Sequence, residues 1–217
     1  MQELLSGDLA IAAVILSVIT AMGLLVSQRS YILLALLAVQ YISVFILAGL
    51  NWSLEMTLSK LIAGWISVGI IGWILFSTRT STDLPSGELL DSPLVTSVSV
   101  KYGDTVSATV FRLLASVLVG LTMLSASPTV ASWVPGIPIE AAMGGLLLVG
   151  LGLLQLGLST QPLRVIIGLL TVLSGFEIIY SAVEISALVA GLLTAVTMGL
   201  AIIGAFIILL PVMEELE

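Results

Sequence analysis

Cysteine and histidine are both missing from this 217-residue chain. Without them the chain has no ligands for a structural zinc ion, an iron–sulfur cluster or a histidine-held haem, and it can form no disulfide. No cofactor or metal site is therefore expected, and any redox chemistry would reside in another protein. Charge is also scarce, because 9% of the residues are charged whereas 59% are hydrophobic. The net charge of -7 comes from loop and tail acids, which argues against nucleic acid as a partner.

Seven long apolar stretches with almost no charge organise the sequence. A helix needs about 20 apolar residues to cross a hydrocarbon core of about 30 Å. The stretches of suitable length are Leu9–Val26, Tyr31–Leu50, Leu54–Phe76, Ala108–Ala126, Ala141–Leu158, Leu163–Val183 and Ala187–Leu210. None of these predicted spans contains proline. The sequence therefore predicts an all-α, polytopic membrane protein with seven transmembrane helices in a lipid bilayer.

The basic residues indicate the orientation of these helices. Five of the six lie at or between helix ends that seven spans bring to one side, namely Arg29, Arg79, Lys101, Arg112 and Arg164. The loops on the other side, residues 51–53, 127–140 and 184–186, contain neither Lys nor Arg. The positive-inside rule then predicts an outer N-terminus and a cytoplasmic C-terminus, in a prokaryotic inner membrane or another energy-transducing membrane. The leader before the first helix is acidic, so it is expected to be translocated rather than to belong to a cleaved signal.

The sequence on either side of the fourth predicted helix suggests an internal duplication. Placing Gln28 on Gln161 aligns residues 27–37 with 160–170 without a gap, and superposes the first three helices on the last three. This predicts a parallel 3+1+3 repeat, in which functional sites would lie at the repeat interface. Residues 1–77 are the first repeat, 78–107 a cytoplasmic loop, 108–140 a linker helix with an outer loop, and 141–217 the second repeat with an acidic tail. Chance similarity among Leu, Ile, Val and Ala strings is the alternative.

The cytoplasmic loop contains one run with the alternation of a strand. This run, Leu94–Tyr102, favours a short strand or hairpin. Two roles for the loop stay open, a docking segment or a plain surface linker.

Lys60 and Glu177 are the two ionisable residues well inside the predicted spans. Charged groups are costly within a bilayer and face a protein interior or water. Each of the two lies about 9 Å from the outer end of its predicted helix, at 1.5 Å per residue, so they could pair or share one polar track. For Lys60 the alternative is a stem that snorkels to the outer headgroups, near Trp52 as an interface anchor.

Glu177 belongs to a polar stripe along the sixth predicted helix. The stripe recurs every three or four residues and so lies on one face, as Thr171, Ser174, Glu177, Ser181 and Glu184. It favours a hydrated proton path in which Glu177 binds and releases the proton. The predicted path residues are Glu177, Lys60, Glu184, Ser174 and Ser181. The alternative is a buried glutamate that only holds helices together.

Other patterns predict helix packing. Small residues spaced by four on the seventh helix would allow close helix contact at Ala187, Gly191, Ala195 and Gly199. The same is expected every seven residues on the fifth helix, at Gly145, Gly152 and Ser159. Gln40 and Gln155 are isolated polar residues, predicted to be hydrogen-bond partners between helices. Trp65 and Trp73 are predicted to face lipid or to pack.

The segment Gly175–Ile185 (GFEIIYSAVEI) resembles the proton-channel subunit K (chain 4L) of NADH–quinone oxidoreductase around its membrane glutamate, on which Glu177 falls. The wider layout is similar to the hydrogenase-4 component E family at Gln28–Leu37 and at Leu58–Ile62 (LSKLI), where Lys60 falls on a matching membrane lysine. The resemblance implies a small subunit beside large antiporter-like subunits, with part of a proton path. Subunit K carries a second carboxylate in its next helix, whereas Ala187–Leu210 contains none. A continuous path would then use Glu184, Lys60 or a neighbouring subunit.

The favoured function is a small membrane subunit of a proton- or cation-translocating complex, which could be complex-I-like, group 4 hydrogenase-like or multisubunit antiporter-like. A stand-alone small-molecule transporter with a 3+1+3 layout, as in the SWEET carriers, is the alternative. Its Pro-Gln signature is not matched, because the pair Gln161-Pro162 is reversed and lies in a loop. The proline-free spans also argue against a rocking carrier. A structural scaffold is a third possibility, whereas a retinal protein is excluded because the last helix has no lysine.

Overall fold

The computed structural model describes residues 2–27, 29–82 and 106–214, and these are helical apart from short turns. The helices are α1 (Gln2–Val26), α2 (Ser30–Ala48), α3 (Leu54–Thr82), α4 (Val106–Trp133), α5 (Ile139–Leu158), α6 (Pro162–Tyr180) and α7 (Ala187–Glu214). No strand occurs in the described ranges. The strand or hairpin predicted at Leu94–Tyr102 lies outside the described residues.

All seven helices are long and apolar enough to cross a membrane. Across the described residues this confirms the prediction of an all-helical protein with seven candidate membrane spans, as expected of an integral membrane protein. α5 and α6 are the most buried helices. In the most apolar segment of each, 56% of the residues are buried, whereas in α4 the share is 11%. α4 is therefore a peripheral helix.

α4 continues beyond its predicted end at Ala126, through Pro128, to Trp133. The expectation that no span contains proline was therefore wrong. Proline cannot donate to the carbonyl four residues earlier, which here belongs to Leu124. The hydroxyl of Ser127 donates to that carbonyl at 2.8 Å, so the acceptor freed by proline is still satisfied. Serine side chains commonly take this role in membrane helices. A turn with Gly136 at φ +84° then leads into α5.

The helices pack as two rows of three. In one row α2 lies between α1 and α3, and in the other α6 lies between α5 and α7. Across the rows α1 contacts α5, α2 contacts α6, and α3 contacts α7, while α4 packs outside against α1 and α5. α2 and α6 are therefore the middle helices of their rows.

Hydrogen bonds connect the two rows at both ends of the bundle. One end of the bundle carries Ser27, Arg29 and residues 159–161 and is here called the basic end. There the Arg164 guanidinium donates to the Ser27 carbonyl at 2.7 Å. At the other end, here called the opposite end, residues 49–53 meet residues 181–186. There the Trp52 indole N–H donates to the Glu184 carbonyl at 2.9 Å. Trp52 is only 4% exposed, so its prediction as an interface anchor was wrong.

Buried apolar side chains fill the space between the rows. One cluster joins α1, α2, α5 and α6 and includes Leu47, Leu148 and Ile178. A second joins α1, α2, α3, α6 and α7 and includes Leu37 and Ile167, among others. Dispersion and close packing, more than hydrophobic transfer, hold such helices together in lipid.

Glycines bring α5 and α6 into backbone contact. A Cβ on Gly175 would lie 2.7 Å from the backbone nitrogen of Val149, and a Cβ on Gly152 would lie 3.1 Å from the carbonyl of Gly168. Gly145 lies in the same contact, as its Cβ would be 3.0 Å from the Gly175 carbonyl. The prediction of close contact through the glycines of the fifth helix is therefore confirmed.

The small-residue stripe predicted to pack on the seventh helix does not pack within this chain. A Cβ on Gly191 or Gly199 would meet nothing within 4 Å. The buried face of α7 carries a second set of small residues instead, namely Ala190, Thr197, Ala201 and Ala205. Two small faces on one helix made the sequence pattern ambiguous. The exposed rings of Trp65 and Trp73 face outwards, as one of the two predicted alternatives required.

Candidate functional site

Lys60 of α3 and Glu177 of α6 form an ion pair inside the bundle, between the ammonium Nζ and the carboxylate Oε1. The side chains are only 6% and 3% exposed. A snorkelling lysine would point out of the bundle, so that alternative was wrong. Bringing two charges out of water is costly, and the pair is tolerated because each charge compensates the other.

A third helix contributes to the pair. The Thr197 hydroxyl of α7 lies 3.2 Å from Glu177 Oε1 and can donate to it. The same hydroxyl lies 2.9 Å from the Leu193 carbonyl. A threonine hydroxyl has one proton, so it can donate to only one of these acceptors at a time. The carboxylate therefore has a partner that can engage or withdraw by rotation of a single side chain.

Glu177 lies closer to the end of its helix than the sequence indicated. α6 ends at Tyr180 rather than near Val183, and the Glu177 carbonyl accepts the N–H of Ser181 at 2.9 Å. The carboxylate is thus in the last turn, about 4.5 Å along the axis from Tyr180. The predicted depth of about 9 Å was too large for Glu177. Because the C-terminal turn of a helix carries partial negative charge, it disfavours a carboxylate there, which adds to the need for Lys60.

α2 completes the surroundings of the pair with Tyr41, which was not predicted from the sequence. Tyr41 is 4% exposed, and its hydroxyl lies beside Ser174 and Glu177. Its ring covers Gly64 of α3, where a Cβ would overlap the ring. Gly64 is one helical turn from Lys60. The one available sequence signal was the adjacent polar pair Gln40-Tyr41 near the middle of a largely apolar helix.

The stripe on α6 is buried, but it does not form a chain of hydrogen bonds to Glu177. The Ser174 hydroxyl donates to the Leu170 carbonyl at 2.8 Å, and the Thr171 hydroxyl donates to the Ile167 carbonyl at 2.9 Å. Both hydroxyls thus bind their own helix, although their lone pairs stay available to accept. The predicted path residue Ser174 is therefore beside the pair without being hydrogen-bonded to it.

The remaining two predicted path residues belong to the closed opposite end. Ser181 is fully buried, donates to the Ile178 carbonyl at 2.7 Å and accepts from the Asn51 amide at 3.3 Å. The Glu184 carboxylate accepts the backbone N–H of Ser186 at 3.2 Å, just before α7 begins. Within the part of the chain that the structure describes, neither side chain is hydrogen-bonded to the carboxylate of Glu177. Their contacts connect the turns that precede α3 and α7.

The two isolated glutamines have different surroundings. The Gln155 amide donates to the Arg164 carbonyl at 3.1 Å, which confirms its prediction as a hydrogen-bond partner between helices. Gln40 is 1% exposed, and neither its amide nitrogen nor its oxygen has a hydrogen-bond partner in the described ranges. The same prediction for Gln40 was therefore wrong.

Acidic residues do not cluster into a metal site in this part of the chain. No group of three Asp or Glu side chains among the described residues could hold a metal ion. The chemistry available at the Lys60–Glu177 pair is the binding, release and transfer of protons.

No protein-family model, curated protein or solved structure matches this chain.

Proposed function

We propose that this chain is an integral membrane subunit of a proton- or cation-translocating complex, in which Glu177 carries the proton and Lys60 is its counter-charge. The observation that supports this proposal is the buried ion pair Lys60–Glu177 with the Thr197 hydroxyl beside it. Ionisable groups in this setting are costly and mark ion pathways in membrane proteins. Redox chemistry, if the complex performs any, resides in other subunits.

The pair suits proton transfer because both partners can change protonation state. Moving a proton from the ammonium to the carboxylate turns two charges into two neutral groups within one hydrogen bond, so no net charge is created in the bundle. Thr197 can donate to the charged carboxylate and return to the Leu193 carbonyl when that charge disappears. The pair therefore combines a proton-binding group, a counter-charge and an adjustable donor.

The proposed assembly contains large antiporter-like membrane subunits next to this chain. Resemblance to subunit K and to hydrogenase-4 component E around Glu177 and Lys60 supports it. So does the lack of a carboxylate in residues Ala187–Leu210 of α7, since a path through one glutamate needs a continuation elsewhere. A complex-I-like, group 4 hydrogenase-like or multisubunit antiporter-like complex would each supply such a neighbour.

The proposed topology is a parallel 3+1+3 repeat with an outer N-terminus and a cytoplasmic C-terminus. Pairing of α1 with α5, α2 with α6 and α3 with α7 across the rows supports the repeat. Arg29 and the Arg164–Ser27 contact at one end of the bundle support the sidedness, since basic residues favour the cytoplasmic side. In this topology the ion pair lies nearer the outer surface.

Isolation of the native assembly tests the class of function. The chain is purified from its own membrane in mild detergent, and the accompanying proteins are identified by mass spectrometry. We expect large multi-helix antiporter-like subunits. Recovery of the chain alone or as a homo-oligomer would contradict the proposal and favour a stand-alone small-molecule transporter, for which substrate uptake would be measured next.

Glu177→Gln tests the role of the carboxylate within the isolated complex. Glutamine keeps the shape of the side chain but cannot bind and release a proton at neutral pH. We expect the complex to assemble and proton translocation to fall to background. Glu55→Gln is the matched control, because Glu55 is exposed in the first turn of α3 and should be replaceable without effect. Unchanged translocation with Glu177→Gln would refute the proposed role.

A further inference from the structure

Unpaired polar atoms are concentrated on α2 and at its basic end. Gln40 Nε2 and Oε1, the Tyr41 hydroxyl and the Ser27 hydroxyl are buried without a hydrogen-bond partner among the described residues. Buried polar groups in folded proteins are nearly always hydrogen-bonded, and those without a protein partner commonly bind internal water. Three of these four atoms belong to the adjacent residues Gln40 and Tyr41, and they point to bound water there.

These atoms lie on the basic side of the ion pair. α2 begins at the basic end, and Gln40 is about 15 Å along it, at 1.5 Å per residue. The Tyr41 ring covers Gly64, which lies one turn from Lys60 towards the basic end. α6 contacts α2 and also begins at the basic end. Thr171 and Ser174 come before Glu177 on this helix, so they lie on the basic side of Glu177. Polar groups of α2 and α6 thus extend from the pair as far as Gln40 and Thr171. The buried side chains of both helices between these two residues and the basic end are apolar, Leu37 and Ile167 among them.

The opposite side of the pair differs, because its polar groups bind one another. The Asn51 amide donates to Ser181, and the Trp52 indole donates to the Glu184 carbonyl. The Glu184 carboxylate accepts from the Ser186 backbone. Each of these contacts joins neighbouring turns or residues at the opposite end. The polar groups that form them are therefore less available to bind water. The polar groups at this end thus have partners among the described residues, whereas those of the Gln40 and Tyr41 side chains have none.

We propose that Gln40 and Tyr41 bind internal water on the basic side of Glu177, and that water crosses the apolar layer around Leu37 and Ile167 when the carboxyl group exchanges protons with that side of the membrane. An internal water needs two to four polar partners. The Gln40 amide and the Tyr41 hydroxyl have no other partner among the described residues, and Ser174 beside the Tyr41 hydroxyl keeps lone pairs that can accept from water. Arg164, buried at the start of α6, lies where this route reaches the surface. α2 is thereby a second side of the path, in addition to the stripe on α6.

Labelling of single cysteines tests this route, because the chain has no cysteine of its own. Ser174→Cys is placed in vesicles of known orientation and exposed to a membrane-impermeant methanethiosulfonate reagent on one side at a time. Thr160→Cys reports the basic end and Ser132→Cys the opposite end, since both residues are exposed there. Ser116→Cys is the matched control, a fully buried serine on α4 away from the pair.

We expect Ser174→Cys to react from the side on which Thr160→Cys reacts, and Ser116→Cys to remain unlabelled. Thr171→Cys, one turn nearer the basic end, is a second probe should Ser174→Cys not fold. Adding Gln40→Leu, which removes both amide atoms at similar volume, should slow labelling of the buried probe by about tenfold or more, because an apolar side chain disfavours water there. Labelling from the Ser132 side, no labelling at either probe, or no effect of Gln40→Leu would overturn the proposal.

This access route rests on the proposed function in that Glu177 is taken to carry the proton, but the two can fail separately. Labelling reports entry of water and requires no translocation. If the probes label from the basic side and Glu177→Gln leaves translocation unchanged, the route stands and the proposed function fails. If Glu177→Gln abolishes translocation and the probes do not label from the basic side, the proposed function stands and this route fails.

Discussion

Replacing Lys60 with methionine removes one charge of the buried pair while keeping a long apolar stem. Both partners are at least nine-tenths buried, at 6% and 3% exposure, so solvent screens little of their interaction. Removing one partner of such a pair typically costs about 3–5 kcal/mol, because the other charge remains buried without compensation. An exposed pair would be worth only about 0.2–1 kcal/mol. The loss of unfolding free energy in Lys60→Met therefore shows whether the pair behaves as a buried or as an exposed ion pair.

The double variant Lys60→Met/Glu177→Gln completes the measurement. With both charges removed, no uncompensated charge remains, and we expect a stability within about 1–2 kcal/mol of the native chain. The stranded carboxyl in Lys60→Met can also become neutral by taking up a proton, which limits the loss in that variant. A coupling free energy above about 2 kcal/mol is expected from the complete cycle.

Denaturant or thermal unfolding of the full chain in detergent or lipid nanodiscs provides these values. Arg29→Met is the matched control, since Arg29 is exposed at the basic end and its guanidinium donates to the Tyr31 hydroxyl. Its substitution should change stability by less than about 0.5–1 kcal/mol. A double variant as unstable as the worse single variant, or single variants that lose less than about 1 kcal/mol, would refute the reasoning from the buried pair.

The same double variant separates a proton path from a glutamate that only holds helices together. If the pair serves only to hold α3 against α6, a stable double variant should keep full translocation by the complex. The proposed function predicts the reverse, with a folded and assembled subunit and no translocation.

Three further predictions concern single contacts. Thr197→Val should lower the unfolding free energy by about 1.5–3 kcal/mol, because it removes the donor to the carboxylate. Thr194→Val should lower it less, because the Thr194 hydroxyl donates to its own helix, and equal losses would contradict this. Gly175→Ala should destabilise the chain by about 1–3 kcal/mol, because its Cβ would meet backbone atoms of α5, and Gly191→Ala should be neutral when unfolding is measured. Trp52→Phe should cost about 1 kcal/mol and increase hydrogen exchange at residues 181–186, and unchanged exchange would show that this indole does not hold the turn.

The sequence by itself determined the number of membrane helices and the two charges that lie inside them. Both follow from transfer free energies, which depend on the composition of a segment and not on its neighbours. The glycines of α5 could also be predicted, since Gly145 and Gly152 recur every seven residues and so lie on one face. α7 has two such faces, so composition could not say which of them packs.

Only the tertiary structure decided which polar groups meet. Lys60 and Glu177 are 117 residues apart in the chain, and their contact depends on the order of helices in the bundle, which hydropathy does not encode. The positions of Thr197 and Tyr41 beside the pair depend on the order of helices in the same way. Ser181 and Glu184 share the periodicity of Glu177, yet the helix ends at Tyr180, and both instead bind at the opposite end. Periodicity predicts a common face only while the helix lasts, whereas contacts between helices are set by packing across the two rows.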